Sequence, residues 1–200
     1  DRIALPRRAG GLLPPAGGRL GGRADGAAPV SGGDRGGTRR RGAHGARPEA
    51  GVDSVLVASH VTAALQSIVA RNVRPVDTAV LSVTQIHGGN AYNVIPQTVR
   101  LSGTVRAFSN EVMALIGRNL ARVAEGVAAG FGAKASTDFR VIFPPTVNDA
   151  READYAAGIC AEIVGTESVK RDPSLIMASE DFAFMLNEVP GCYINIGNGD

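Results

Sequence analysis

Few side chains in this 200-residue sequence are of a type that does chemistry. There are three histidines, His44, His60 and His87, and two cysteines, Cys160 and Cys192. No histidine stands in an HxH or HExxH spacing and no CxxC occurs, so no zinc module is spelled locally. A phosphate-binding glycine loop, a dinucleotide fingerprint and a serine nucleophile elbow are also missing. What remains is a set of polar groups in particular settings. Glu180 and Asp181 sit in the first turn of an expected helix, where the helix dipole favours negative charge. Arg106 ends the polar face of an alternating strand, and Asn93 precedes Ile95-Pro96, a setting for turn chemistry. His60 lies on an expected helix and His87 before a Gly88-Gly89 turn; both read as structural.

The elements that must position these groups begin at His44. Asp53 can cap a helix. After it, Val52, Val55, Leu56, Val61, Leu65, Ile68 and Val69 form an apolar stripe that ends near Arg71-Asn72. Thr78–His87 is β-branched and reads as a strand. In Gln97–Ala107, Val99, Leu101, Gly103 and Val105 alternate with Arg100, Ser102, Thr104 and Arg106. Ser109 starts a second helix carrying Val112, Leu115, Ile116, Leu120, Val123 and Val127. A third strand follows to Phe143 and is stopped by Pro144-Pro145. The order is helix, strand, strand, helix, strand: an α+β sandwich with helices on one face of an antiparallel sheet. A ferredoxin-like βαββαβ unit needs one more strand ahead of the first helix. Residues 30–43 are where it should lie, and no clear strand is visible there. Residues 146–200 read as a helix from Asn148-Asp149 to Val164, a short strand, a helix opened by Ser179-Glu180-Asp181-Phe182, and a strand at Cys192–Ile196. This resembles the edge of a larger α/β domain.

Composition divides the chain near residue 43. Residues 1–43 hold nine Arg against three Asp, a net charge of +6, with 12 of the 26 Gly and no aromatic residue. Residues 44–200 carry 12 basic and 16 acidic groups, a net charge of −4. The first stretch reads as unstructured chain or as out-of-frame translation of GC-rich codons, since it has little to bury against its chain entropy. An arginine-rich nucleic-acid tail is the alternative. It is disfavoured by the acidic remainder and by strands without surface aromatics for stacking. No run approaches the ~18 apolar residues of a membrane span, and no secretory signal is visible. Two thiols without a scaffold pattern read as reduced, which places the chain in the cytoplasm.

Several phrases occur in order: Gly42-Ala43-His44-Gly45-Ala46-Arg47-Pro48, Gln85-Ile86-His87-Gly88-Gly89, Asn93-Val94-Ile95-Pro96, Gly103-Thr104-Val105-Arg106, Pro144-Pro145-Thr146-Val147-Asn148-Asp149 and Met177-Ala178-Ser179-Glu180-Asp181-Phe182. Together they resemble the M20 metallopeptidases, in the branch of hippurate and N-acyl-amino-acid amidohydrolases. The resemblance covers about residues 42–200. It implies a ferredoxin-like lid and dimerisation domain at 44–145 and part of a zinc-peptidase-like catalytic domain at 146–200.

The resemblance also implies roles. His44 matches a lid histidine that reaches the partner subunit's active site and steadies the oxyanion. Asn93 and Arg106 match a lid pair that grips the substrate carboxylate, a task that suits the guanidinium fork. Glu180 and Asp181 match a motif beside the cleft, with Ala178 where Gly is usual. The family binds two divalent metals (zinc, manganese or similar) through HxH-type, acidic and histidine ligands that have no counterpart here. The resemblance therefore implies a chain without a catalytic metal, inactive alone. Its parent would hydrolyse the amide of an N-acyl amino acid or small peptide as a homodimer, with neither membrane nor nucleic acid as partner. The alternative is a non-catalytic dimerisation module.

Overall fold

The computed structural model describes residues 3–4, 19–20, 22–32 and 42–197. Their contacts divide into two compact units. One comprises the described parts of Ala24–Arg106 and Glu111–Val141, the other those of Asp1–Arg23, Ala107–Asn110 and Ile142–Asp200.

The first unit is a sheet backed by two helices. α1 (Ser54–Asn72) starts where the Asp53 carboxylate accepts the Val55 and Leu56 amides, both at 3.0 Å. That cap satisfies two of the orphan donors of a first helical turn. α1 buries Val57, Ala58, Val61, Leu65 and Ile68, and each larger side chain contributes roughly 1.5–3 kcal/mol. Val55 and Leu56, expected on the apolar stripe, are instead 46% and 49% exposed. Among the described residues α1 is the one helix long and apolar enough to cross a membrane. Its buried face shows that part of this apolarity serves the unit's own core. α2 (Asn110–Gly130) buries Val112, Met113, Ile116, Leu120, Ala124 and Ala128 at helical spacing.

The sheet contains β3 (Gly22–Gly32), β5 (Ala79–Gly88), β7 (Thr98–Ala107), β8 (Ala133–Ala135) and β9 (Asp138–Phe143). Their order is β5-β7-β3-β8, with β9 also paired to β3. This corrects the expectation of a missing lead strand: β3 supplies it inside the sheet, beginning ahead of residues 30–43 and overlapping them at Val30–Gly32. β3 runs antiparallel to β8, with Val30 opposite Ala135 and Gly32 opposite Ala133. Its text, GRADGAAPVSG, has one β-branched residue and a proline without a ladder donor. Backbone pairing on both sides and the fully buried Val30 hold what propensity does not. The expectation of unstructured or out-of-frame chain also bears on residues 1–2, 5–18, 21 and 33–41, which lie outside the described residues. β5 forms one edge of the sheet, and at its far end Gly88 lies against Val99.

Among the described residues the second unit contains two small sheets, one of three strands and one of two, and two α-helices. β1 (Ile3–Ala4) pairs parallel with β11 (Val169–Lys170) and antiparallel with β12 (Asn195–Ile196). β2 (Arg19–Leu20) pairs with β10 (Thr146–Val147). α3 (Ala150–Val164) is capped by Asp149 and ends at Gly165, whose φ of 83° suits glycine. It buries Ala153, Ala157 and Cys160, and Cys192 packs against the same cluster. α4 (Phe182–Glu188) is short and begins after Asp181, which makes no side-chain cap.

Two mid-helix glycines separate packing from propensity. A Cβ on Gly117 would stand 2.7 Å from Cδ1 of Phe139, whereas one on Gly126 would meet nothing within 4 Å. Alanine gains about 1 kcal/mol over glycine within a helix, but overpacking costs about 1–3 kcal/mol. Thermal unfolding followed by circular dichroism should show Gly126→Ala stabilised and Gly117→Ala destabilised; equal shifts would refute the Phe139 packing.

Burial pushes the Cys192 thiol up to about 11, with nearby Cys160 and Glu152 adding to the rise. Because burial penalises the thiolate, the fold loses stability as pH rises from the ordinary thiol value of 9.0 through about 11. Iodoacetamide modification of Cys192 in the native protein should therefore inflect near pH 11. Inflection at the ordinary thiol value would contradict this burial.

Candidate functional site

His44 is positioned by a ladder separate from the main sheet. β4 (Ala43–His44) pairs antiparallel with β6 (Val94–Ile95), placing Ala43 opposite Ile95 and His44 opposite Val94. Gly42, at φ 57°, lies where a side chain would run into the Ile95 carbonyl, so the approach of these strands needs glycine. The Gly45 amide donates to the Asn93 carbonyl at 2.7 Å, extending the ladder to Asn93. The backbones of His44 and Asn93 are thus neighbours, and both residues are exposed, as is the adjacent Tyr92. The Ala46 amide donates to His44 Nδ1 at 3.1 Å. With Nδ1 accepting, the neutral ring carries its proton on Nε2 and offers that N–H outward.

Arg106 lies elsewhere. Gly88 lies against Val99 at one end of the β5–β7 hairpin, and a Cβ on Gly89 would stand 3.7 Å from the Pro96 ring, so the loop holding Asn93 belongs to that end. Arg106 is seven residues beyond Val99 along an extended strand, roughly 23 Å away. The backbones of Asn93 and Arg106 therefore stand towards opposite ends of β7. His60 packs its ring on Phe131, with centroids 4.7 Å apart. His87 is exposed on β5 just before the Gly88-Gly89 turn.

Glu180 and Asp181 belong to the second unit, immediately before α4. Tyr193 faces them. Burial raises the Tyr193 hydroxyl's pKa, and its hydrogen bond to Glu180 and the charges of Glu180 and Asp181 raise it further. Asn148 holds Tyr193 in place. Its Oδ1 accepts the Tyr193 amide at 2.8 Å, and its Nδ2 donates to the Tyr193 carbonyl at 2.9 Å and to Cys192 Sγ at 3.4 Å. The neighbouring Asp149 amide donates to the Gly191 carbonyl at 3.0 Å. Sequence reasoning treated Asn148 as a helix start and passed over Tyr193. The available signal was an asparagine one residue before an aspartate that already suffices as cap. Among the described residues no three His, Cys, Asp or Glu side chains gather as a metal-binding group. They do not fit a dinuclear metal site.

Comparison with known proteins agrees with this architecture. Residues 33–129 match the family model of the peptidase dimerisation domain of M20 enzymes. The chain is 38% identical over 167 residues to N-acetyl-L-cysteine deacetylase of Bacillus subtilis, covering 80% of this chain and 38% of that protein. It is 35% identical over 144 residues to hippurate hydrolase of Campylobacter jejuni, covering 72% of this chain and 38% of that protein. A crystal structure of a dinuclear metal-binding peptidase of the M20 family from Bacillus subtilis superposes with a TM-score of 0.70 at 23% identity, over 96% of this chain and 43% of that one. The chain thus spans about two-fifths of the length of these relatives. By its motifs, its dimerisation domain and its relatives, the chain belongs to the M20 family of amidohydrolases.

Proposed function

We propose that this chain is the recognition and dimerisation part of an enzyme that hydrolyses the amide of N-acyl amino acids. The first unit is read as its ferredoxin-like lid and residues 146–200 as part of its catalytic domain, with the metal chemistry supplied from outside the described residues. In this role His44 donates Nε2–H to the scissile carbonyl oxygen as it gains charge, the type of contact worth most in a dry site. Asn93 and Arg106 hold the substrate carboxylate, the arginine as a planar fork. Glu180, held by the Tyr193 hydroxyl, lines the cleft together with Asp181.

The observation that carries this reading is the juxtaposition of His44 and Asn93 at one end of the lid, with Arg106 at the other. One copy cannot close both ends on a small substrate. A symmetric pair can, if His44 and Asn93 reach into the partner's site while Arg106 serves its own. The surface for pairing is at hand. α1 has no charged residue from Ser54 through Ala70, and its outer side exposes Val55, Leu56, Ser59 and Ala63. β5 beside it is a ten-residue edge without charge or proline, exposing Val80 and Ile86. Proteins normally blunt such an edge, so one left bare suits a second copy. The match to a dimerisation domain also favours a second reading, in which the chain pairs subunits without catalysing anything.

The test is a chimera in which residues 42–197 replace the matching region of the Bacillus subtilis N-acetyl-L-cysteine deacetylase. In an active chimera, His44→Ala should lower kcat about 100–1000-fold. Mixing His44→Ala with Arg106→Ala dimers should restore about a quarter of full activity, since half the dimers are mixed and each has one intact site. Retained activity in His44→Ala, or no restoration on mixing, would reject the arrangement.

A further inference from the structure

The ladder that carries His44 and Asn93 is small for the task assigned to it. β4 and β6 have two residues each and form a sheet of their own. A pair this short is marginal in water by itself. Residues 89–94, which lead into it, are exposed. Its geometry therefore has to be imposed by a neighbouring element that is itself rigid.

Ser54 is placed to impose it. The residue is fully buried, and its hydroxyl donates to the Pro96 carbonyl at 2.5 Å, across 42 positions of sequence. Pro96 follows Ile95, Ile95 pairs with Ala43, and His44 comes next. At its other end the bond is fixed by α1, since Ser54 is that helix's first residue. The helix does not need this hydroxyl, because the Asp53 carboxylate already accepts the first-turn amides of Val55 and Leu56. A buried donor that local structure does not use, and that reaches across to a loop carbonyl, fastens the loop to the helix.

We propose that Ser54 is the positioning residue of the recognition ladder. It ties the Asn93–Pro96 segment to the start of α1 and thereby sets where the His44 Nε2–H and the Asn93 amide stand. Ser54 itself touches no substrate. The proposal rests on the reading of His44 and Asn93 given above and extends it to what holds them.

The test uses the full chain and needs no catalysis. Amide exchange at Gly45, whose N–H closes the ladder on Asn93, and the ring nitrogen shifts of His44 are followed by NMR, with unfolding temperature measured alongside. Ser54→Ala should speed Gly45 exchange about tenfold, the effect of a lost buried hydrogen bond on local opening. The two His44 nitrogens should move together as the tautomers average. Ser54→Thr, which keeps the hydroxyl, should hold both readouts near the parent. Asp53→Ala, which weakens the same helix end, should lower the unfolding temperature and leave Gly45 and His44 unchanged. If Ser54→Ala does not fold, Ser54→Cys, a weaker donor, should show an intermediate acceleration. Unchanged exchange in the Ala or Cys variant, or an equal response to Asp53→Ala, overturns the proposal. A chimera that stays active without His44 would defeat the functional reading and leave this result standing.

Discussion

The length of one strand governs how this chain can work. β7 holds the Asn93 loop at one end and Arg106 at the other, separated by an extended backbone that cannot shorten. In the proposed enzyme, groups that are to meet on one small substrate would then come from two copies of the domain. The bare edge of β5 and the charge-free side of α1 gain a purpose from this separation. In a monomer they are an aggregation hazard; in the proposed symmetric pair they would be the contact that assembles a site.

Positioning within each copy depends on buried polar groups more than on the sheet. Ser54 fastens the His44 ladder to α1, and Asn148 holds the backbone of Tyr193, whose hydroxyl meets Glu180. The two devices share a logic. A short polar side chain beside a helix cap, not needed by the cap, satisfies backbone groups of a distant segment. Buried polar groups of this kind are costly when unpaired, so each imposes a single arrangement.

Much of the architecture was legible in the sequence, and what was hidden had a physical cause. Asp53 as cap, the alternation of β7 and the ends of α1 and α2 follow from period and side-chain type. β3 did not, because alanine and glycine carry no pattern and Pro29 argues against a central strand; its place comes from pairing on both sides. Val55 and Leu56 looked like core, since apolar spacing reports a hydrophobic face and not whether that face meets the same chain. His44, Asn93 and Arg106 are proposed from motif, and the separation of the last two is a property of the strand joining them. Ser54 and Tyr193 were invisible because their partners lie far off in sequence (Pro96) or on another element (Glu180).

Sedimentation equilibrium of the purified chain tests the central claim, that two copies are required. The account predicts a species of twice the 20.6 kDa chain mass at micromolar concentration, returned to a single chain mass by Ala63→Glu on the outer side of α1. A chain that sediments at 20.6 kDa at every concentration would contradict it.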